Sequence, residues 1–247
     1  MQRQKAWQVP ESQALSKDNA MLYFTAKRVF DFVLVASSLI LLFPLMMCIA
    51  ILIKLDSSGS AIYTQERVGA KRKRRSDGAY YWEQRTFTIF KFRTMRVDSE
   101  STIHREFMEA VISGDEAKLN RFEEMHDDKA KTKMARDPRI TRVGAFLRKT
   151  SLDELPQLWN VLIGDMSLVG PRPPIPYEVE IYKPRHLQRL NTIPGITGLW
   201  QISGRSATTF DGMVDLDIEY IEKQSFWLDL KILFGTLPAV LFQKGAY

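Results

Sequence analysis

The chain has 247 residues, 45% of them apolar and 26% charged, enough for one sizeable core and too apolar for extended disorder. A single cysteine, Cys48, sits inside an apolar run, which excludes an intramolecular disulfide and a cysteine-built zinc site. The 35 Lys and Arg outnumber the 29 Asp and Glu, a net charge of +6 that suits an anionic partner such as nucleic acid, anionic lipid or a phosphorylated small molecule.

The first element in chain order is residues 29–53, an apolar stretch whose one charged side chain is Asp31. At 1.5 Å per residue a straight helix of that length would be about 37 Å long, enough to cross a hydrocarbon core of roughly 30 Å. Its length, and the Lys54, Leu55 and Asp56 that follow it, set it apart from a cleavable signal peptide. Pro44 removes a helical hydrogen bond and divides the run into halves at 29–43 and 45–53, neither long enough to span. Basic residues flank both sides: Lys27 and Arg28 before the run, Lys54 and the block Lys71, Arg72, Lys73, Arg74 and Arg75 after it. Lys and Arg collect on the cytoplasmic side of membrane segments, so both ends favour the same face. A re-entrant helix broken at Pro44 satisfies both flanks, whereas a kinked span, the alternative, must place one of them outside.

Residues 61–67 and 86–93 show β-branched and aromatic side chains in partial alternation and read as two strands around a polar loop, 69–85, which carries the basic block. The loop reads first as solvated surface and second as a site for anionic headgroups; no nucleic-acid reader motif accompanies it. Residues 97–133 read as one or two amphipathic helices broken near Ser113-Gly114, with His104 and His126 too far apart for one helical metal face. Residues 225–242 are apolar and aromatic but interrupted by Asp229, Lys231 and Pro238, which fits an interfacial helix, with burial in a core as the alternative.

Chemistry concentrates in residues 137–174, where Arg139, Arg142, Arg148, Lys149 and Arg172 accompany the adjacent carboxylates Asp153 and Glu154. Ser151-Leu152-Asp153-Glu154 matches a capping box, which would make Glu154 merely a helix cap. Pro156 argues instead for a helix that starts with Asp153 near the N-cap, so that both carboxylates sit at a positive helix end that also welcomes phosphate. Two carboxylates among guanidinium groups suit phosphoryl transfer with Mg²⁺, or a carboxylate acting as nucleophile. Proline and glycine turns further on hold Arg172 and Arg205 on stiff loops.

In order along the chain stand Lys27-Arg28-x-x-Asp31, Thr64-Gln65-x-Arg67-x-Gly69, Lys91-Phe92-Arg93-Thr94-Met95 and Asp137-Pro138-Arg139-Ile140-Thr141. They are followed by Ser151-Leu152-Asp153-Glu154-Leu155-Pro156-Gln157, by Gly164-Asp165-Met166-Ser167-Leu168-Val169-Gly170-Pro171-Arg172-Pro173, and by Pro194-Gly195-Ile196-Thr197-Gly198. This set closely resembles the monotopic phosphoglycosyl transferases, a bacterial sugar transferase family. The resemblance implies an α+β, membrane-associated fold: an N-terminal re-entrant helix broken at Pro44, a small β-hairpin and a mostly helical catalytic domain with interfacial amphipathic helices. It divides the chain into an N-terminal extension (1–26), the re-entrant helix (27–55) and a cytoplasmic catalytic domain (56–247).

The resemblance also implies an activity: transfer of a sugar 1-phosphate from a UDP-sugar to undecaprenyl phosphate, releasing UMP, at the cytoplasmic face of the bacterial inner membrane. Such a step primes exopolysaccharide, capsule or O-antigen synthesis. Carried onto matching positions, Asp153 is the nucleophile, Glu154 together with Asp153 holds Mg²⁺, and Lys91, Arg148, Arg172, Arg205 and Asp217 bind substrate. Longer inserts at 69–85 and 97–133 tilt the sugar toward galactose or glucose. The absence of spans upstream of Lys27 reads as the catalytic unit without the larger relatives' extra domain. The expected partners are the UDP-sugar, undecaprenyl phosphate and membrane lipids, with no nucleic acid and with a homo-oligomer admitted. A non-enzymatic, membrane-tethered scaffold or regulator that binds anionic lipid or nucleic acid is the second reading.

Overall fold

In a computed structural model that describes residues 17–96, 102–115, 117–119, 139–203 and 209–241, the chain opens with one long helix, α1 (Lys17–Asp56). It is long and apolar enough to cross a membrane by length and composition. Within it the Ser37 and Ser38 hydroxyls donate back to the carbonyls of Val33 and Leu34 (2.9 and 2.7 Å), which satisfies polar groups inside an apolar run. α1 continues through Pro44, in place of the two separate half-helices expected. Proline removes one hydrogen bond to the carbonyl four residues back, and the bonds on either side keep the helix whole.

Both halves of α1 pack on one body. Val35, flanked by Phe30 and Leu39, joins a core with Ile89, Val161, Met166, Tyr220 and Ile232, while Ile49 and Ile53 join a second core with Phe92 and Leu147. Between the two, Ile40 and Leu41 are each 79% exposed and Phe43 is 61% exposed. Polar anchors repeat the pattern. At the N-terminal end Lys27 Nζ and the Tyr23 hydroxyl donate to Asp229 (2.7 and 2.9 Å), and the Ser167 hydroxyl donates to Asp31 (2.6 Å). Arg28 donates there to the carbonyls of Val161 and Leu162 (2.5 and 2.7 Å). At the C-terminal end Arg93 donates to the carbonyls of Ser57 and Ser58 (2.7 and 2.5 Å), and the Asp56 carboxylate accepts from the backbone N–H of Val143 (2.9 Å).

Strands β1 (Ile62–Arg74) and β2 (Tyr80–Phe92) form an antiparallel hairpin with Ile62 opposite Phe92 and Arg74 opposite Tyr80. The segment read from sequence as a polar loop, 69–85, is therefore mostly strand, with the turn confined to 75–79. Cross-strand partners explain the difference: the Arg72 guanidinium lies over the rings of Tyr80 and Phe24 (3.9 and 4.7 Å), and Lys73 pairs with Glu83 at 3.0 Å. Basic residues enter a ladder readily when aromatic rings or opposite charges face them.

Helix α2 (Thr102–Ser113) ends at Gly114, φ 74°, as its sequence predicts; the later part of that insert, with His126, lies outside the described residues. Then follow α3 (Arg142–Thr150), a 3₁₀ turn (Leu152–Glu154), α4 (Gln157–Ile163), β3 (Ser167–Val169), α5 (Pro176–Glu180), α6 (Pro184–Leu187), β4 (Gly195–Thr197), α7 (Leu199–Ser203), α8 (Phe210–Lys223) and α9 (Phe226–Leu241). Strands β3 and β4 pair in parallel. A Cβ on Gly195 would collide with the backbone of Val169 and Gly170, so glycine lets the start of β4 lie against the end of β3. Helix α9 buries Ile232 and turns Trp227 (79% exposed) and Phe234 (68% exposed) outward, a two-faced helix that joins the core on one side and presents aromatics on the other.

Candidate active site

The Asp153–Glu154 pair stands where α3 ends. Thr141 caps the start of α3 by accepting from the Gly144 N–H (3.0 Å). Ser151 terminates it in the left-handed conformation, φ 56°, its N–H returning to the Arg148 and Leu147 carbonyls. A non-glycine residue in this region is strained, and the reversal throws the next three residues into the 3₁₀ turn. Ser151 makes no side-chain cap bond there, and the Glu154 carboxylate reaches Lys91 Nζ at 2.7 Å. The capping-box reading of Glu154 is thus not what the turn does. Pro156 is the N-cap of α4, so the dyad lies in the 3₁₀ turn ahead of that helix and not at its N-cap, where the sequence placed Asp153.

Lys91 comes from β2, 63 residues away from Glu154. Asn160, wholly buried in α4, aligns the two elements: its amide oxygen accepts from Phe90 N–H (3.1 Å) and its amide nitrogen donates to Thr88 O (2.7 Å). It pairs with β2 as a neighbouring strand would, next to the lysine. Burial, then the Glu154 charge, pushes the Asp153 carboxyl above the usual carboxylate range, and Lys91 and Arg148 oppose that shift. A carboxyl raised by burial, with two cations acting against the shift, is the electrostatic pattern of a candidate reactive group.

Lys91, Glu154, Gln157, Arg67, Arg172 and Gln201 line a cleft. Arg172 lies in the loop between β3 and α5, which two buried arginines grip from either side. Arg67 Nη1 donates to the carbonyl of Pro173 (3.0 Å), and Arg189 Nη2 donates to that of Arg172 (3.4 Å). Burial and the nearby Arg172 charge push the Arg67 guanidinium down to about 10.

A sequence model of the bacterial sugar transferases matches residues 22–243. The chain belongs to the bacterial sugar transferase family. It is 39% identical over 222 residues to the exopolysaccharide production protein ExoY of Rhizobium meliloti (strain 1021), covering 90% of this chain and 88% of that protein. It is 42% identical over 221 residues to the UDP-galactose-lipid carrier transferase of Erwinia amylovora, and equally to the undecaprenyl-phosphate galactose phosphotransferase of Salmonella typhimurium (strain LT2). Both of those matches cover 90% of this chain and 41% of the relative, so the sugar transferase chain spans about two fifths of those longer proteins.

Of the site residues expected from sequence, Lys91, Glu154 and Arg172 meet at the cleft, and Arg148 and Asp153 adjoin them electrostatically. Arg205 lies outside the described residues. Asp217, expected to bind substrate, is 1% exposed and pairs with Arg189 at 2.6 Å, and burial raises its carboxyl to about 6. The same Arg189 guanidinium donates to the Arg172 carbonyl (3.4 Å), which links Asp217 to the loop that carries Arg172. Arg67 and Gln157 were not named as site residues from sequence. Arg67 stood in the Thr64-Gln65-x-Arg67-x-Gly69 motif, and an arginine inside a strand pattern was the signal that could have found it.

No group of three or more His, Cys, Asp and Glu fit to hold a metal occurs among the described residues. The adjacent carboxylates of Asp153 and Glu154 nevertheless suit Mg²⁺, which is commonly held by one or two carboxylates with substrate phosphates and water completing its shell.

Proposed function

We propose that the chain transfers a sugar 1-phosphate from a UDP-sugar to undecaprenyl phosphate at the cytoplasmic face of the inner membrane, releasing UMP, through a covalent sugar phosphate on Asp153. The carrying observation is the Asp153–Glu154 pair, with Glu154 held by Lys91 at 2.7 Å, beside a cleft that Arg67 and Arg172 also line. In the first step an Asp153 oxygen forms a bond to the sugar-linked phosphorus as the P–O bond to the UMP oxygen breaks, and UMP leaves with the electron pair. In the second, a phosphate oxygen of the lipid attacks the same phosphorus and the Asp153 carboxylate departs. Lys91 holds Glu154 in place and, with Arg148 and Arg172, offsets the phosphate charge. Asp153 and Glu154 would hold Mg²⁺, whose charge would stabilise the leaving oxygen when bound. The relatives named for galactose favour UDP-galactose as the first donor to try, with UDP-glucose next.

The topology fits this chemistry. Both ends of α1 are bonded to the domain that carries Asp153, at Arg28 and at Asp56, residues that a straight helix would hold about 42 Å apart. A dip into one leaflet and back, with Ile40, Leu41 and Phe43 deepest, keeps both flanks in the cytoplasm and brings the cleft to headgroup level. Trp227 and Phe234 of α9 would rest in the same interface.

The test is UMP release by the purified protein from a panel of UDP-sugars. Incubation without acceptor yields a mass increase of one hexose phosphate on Asp153, and Asp153→Asn abolishes it. An adduct that persists in Asp153→Asn refutes the nucleophile; no UMP from any donor refutes the reaction.

A further inference from the structure

Arg67 is only 7% exposed, yet it lines the cleft with Lys91, Glu154 and Arg172. Its Nη1 donates to Pro173 O (3.0 Å) and its Nη2 to Gln65 Oε1 (2.6 Å). Nε is buried and meets no acceptor. Glu178, the carboxylate that acts most on this guanidinium, is engaged by the N–H of Ile175 (3.1 Å). A buried cation with an unmade hydrogen bond is destabilising, and Arg172 adds repulsion within the same cleft. An anion that accepts from Nε and lies between the two guanidinium groups relieves both.

We propose that Arg67 is a phosphate-binding residue and that, with Arg172, it forms one subsite occupied first by the phosphate that leaves as UMP and then by the phosphate of the incoming lipid. The proposal rests on the two-step reaction above and adds to it the place of the entering and leaving group. Asp153 adjoins Glu154, whose carboxylate meets Lys91 at 2.7 Å, so the phosphorus under attack belongs on that side. Arg67 then serves the phosphate across the bond being broken. In an in-line displacement the leaving oxygen departs opposite the Asp153 oxygen, and the acceptor oxygen must enter along the same line to expel Asp153. The two phosphate monoesters differ in what they carry, a nucleoside or a polyprenyl chain, and share the group that Arg67 reads. Planar, two-edged donation explains arginine here: one edge is fixed to Gln65 and Pro173, which leaves the Nε–H as the donor that no protein group uses.

The experiment uses full-length protein in nanodiscs. In an Asp153→Asn background, Arg67→Gln and Arg67→Lys weaken UMP binding about tenfold or more, the range expected for a lost charged hydrogen bond. Both leave the binding of uridine, which lacks the phosphate, unchanged. Gln65→Ala removes an anchor without removing the guanidinium and keeps UMP affinity within about threefold. In the Asp153 background, the preformed adduct of Arg67→Lys requires about tenfold more polyprenyl phosphate for half-maximal discharge. Unchanged UMP affinity in both Arg67 variants overturns the binding role, and equal loss of UMP and uridine assigns Arg67 to structure alone, which also overturns it. Weakened UMP with an unaltered lipid dependence overturns the shared subsite. Failure of the unsubstituted protein to release UMP at all strikes the reaction itself and is distinguishable from each of these.

Discussion

Asn160→Ala tests whether α4 holds β2, and with it Lys91, against the dyad. The side chain has no exposed surface and serves two backbone groups, the Phe90 N–H at 3.1 Å and the Thr88 carbonyl at 2.7 Å. Alanine strands both. A buried backbone group left unsatisfied costs about 1–3 kcal/mol, so the pair amounts to about 4 kcal/mol, a fall in Tm of roughly 10–15 °C for a chain of this size. Thermal unfolding in nanodiscs reads the stability, and UMP release reads the displacement of Lys91 from Glu154. Asn160→Asp refines the test. A protonated carboxyl reproduces both bonds, donating to Thr88 O and accepting from Phe90 N–H, whereas the carboxylate cannot donate and is buried as a charge. Its pKa is raised by folding, so the stabilisation is full below the ordinary aspartate range and is lost as pH rises through the shifted value. The variant is therefore closer to the parent at pH 5 than at pH 8. A Tm of Asn160→Ala within about 3 °C of the parent, or an Asn160→Asp deficit that does not grow with pH, refutes the bridging role.

Because Asp153 is raised by burial and by Glu154 and attacks as the carboxylate, adduct formation falls on acidification at a pH above the ordinary carboxylate range. Glu154→Gln moves this acid limb to lower pH and Lys91→Met moves it higher; an unmoved limb in rapid-quench pH profiles contradicts the electrostatic assignment. Arg172→Lys loses most activity while the protein stays folded and membrane-bound, since lysine lacks a bidentate edge for phosphate; parental UMP release in that variant excludes the role. For the topology, single cysteines at Gln8 and Ser60 in a Cys48-free background both stay protected from a membrane-impermeant reagent added outside intact cells. Labelling of either rules out the re-entrant arrangement.

Local pattern alone was enough for the apolar helix, for the start of β1 and the end of β2, for the helix break at Gly114 and for the carboxylate pair ahead of Pro156. Each depends on residues within one or two turns of each other: an unbroken apolar run, a β-branched alternation, a residue free to take positive φ, a ring without an N–H. The length of the hairpin was hidden because five consecutive cations read as solvated until Trp82, Tyr80, Phe24 and Glu83 are seen opposite or beside them. Contacts distant in sequence decided the chemistry. Glu154 could be a helix cap or a site residue by its spacing, and it is Lys91, brought from β2, that draws it into the cleft. Arg67 and Asp217 show the same limit from opposite directions. A charged side chain carries no local mark of whether folding will turn it into a cleft, as with Arg67 beside Pro173, or close it behind one, as with Asp217 against Arg189. Composition and periodicity report which faces are apolar; which buried charge meets which partner is settled only when elements tens of residues apart are packed together, because desolvation and Coulomb energies depend on that packing.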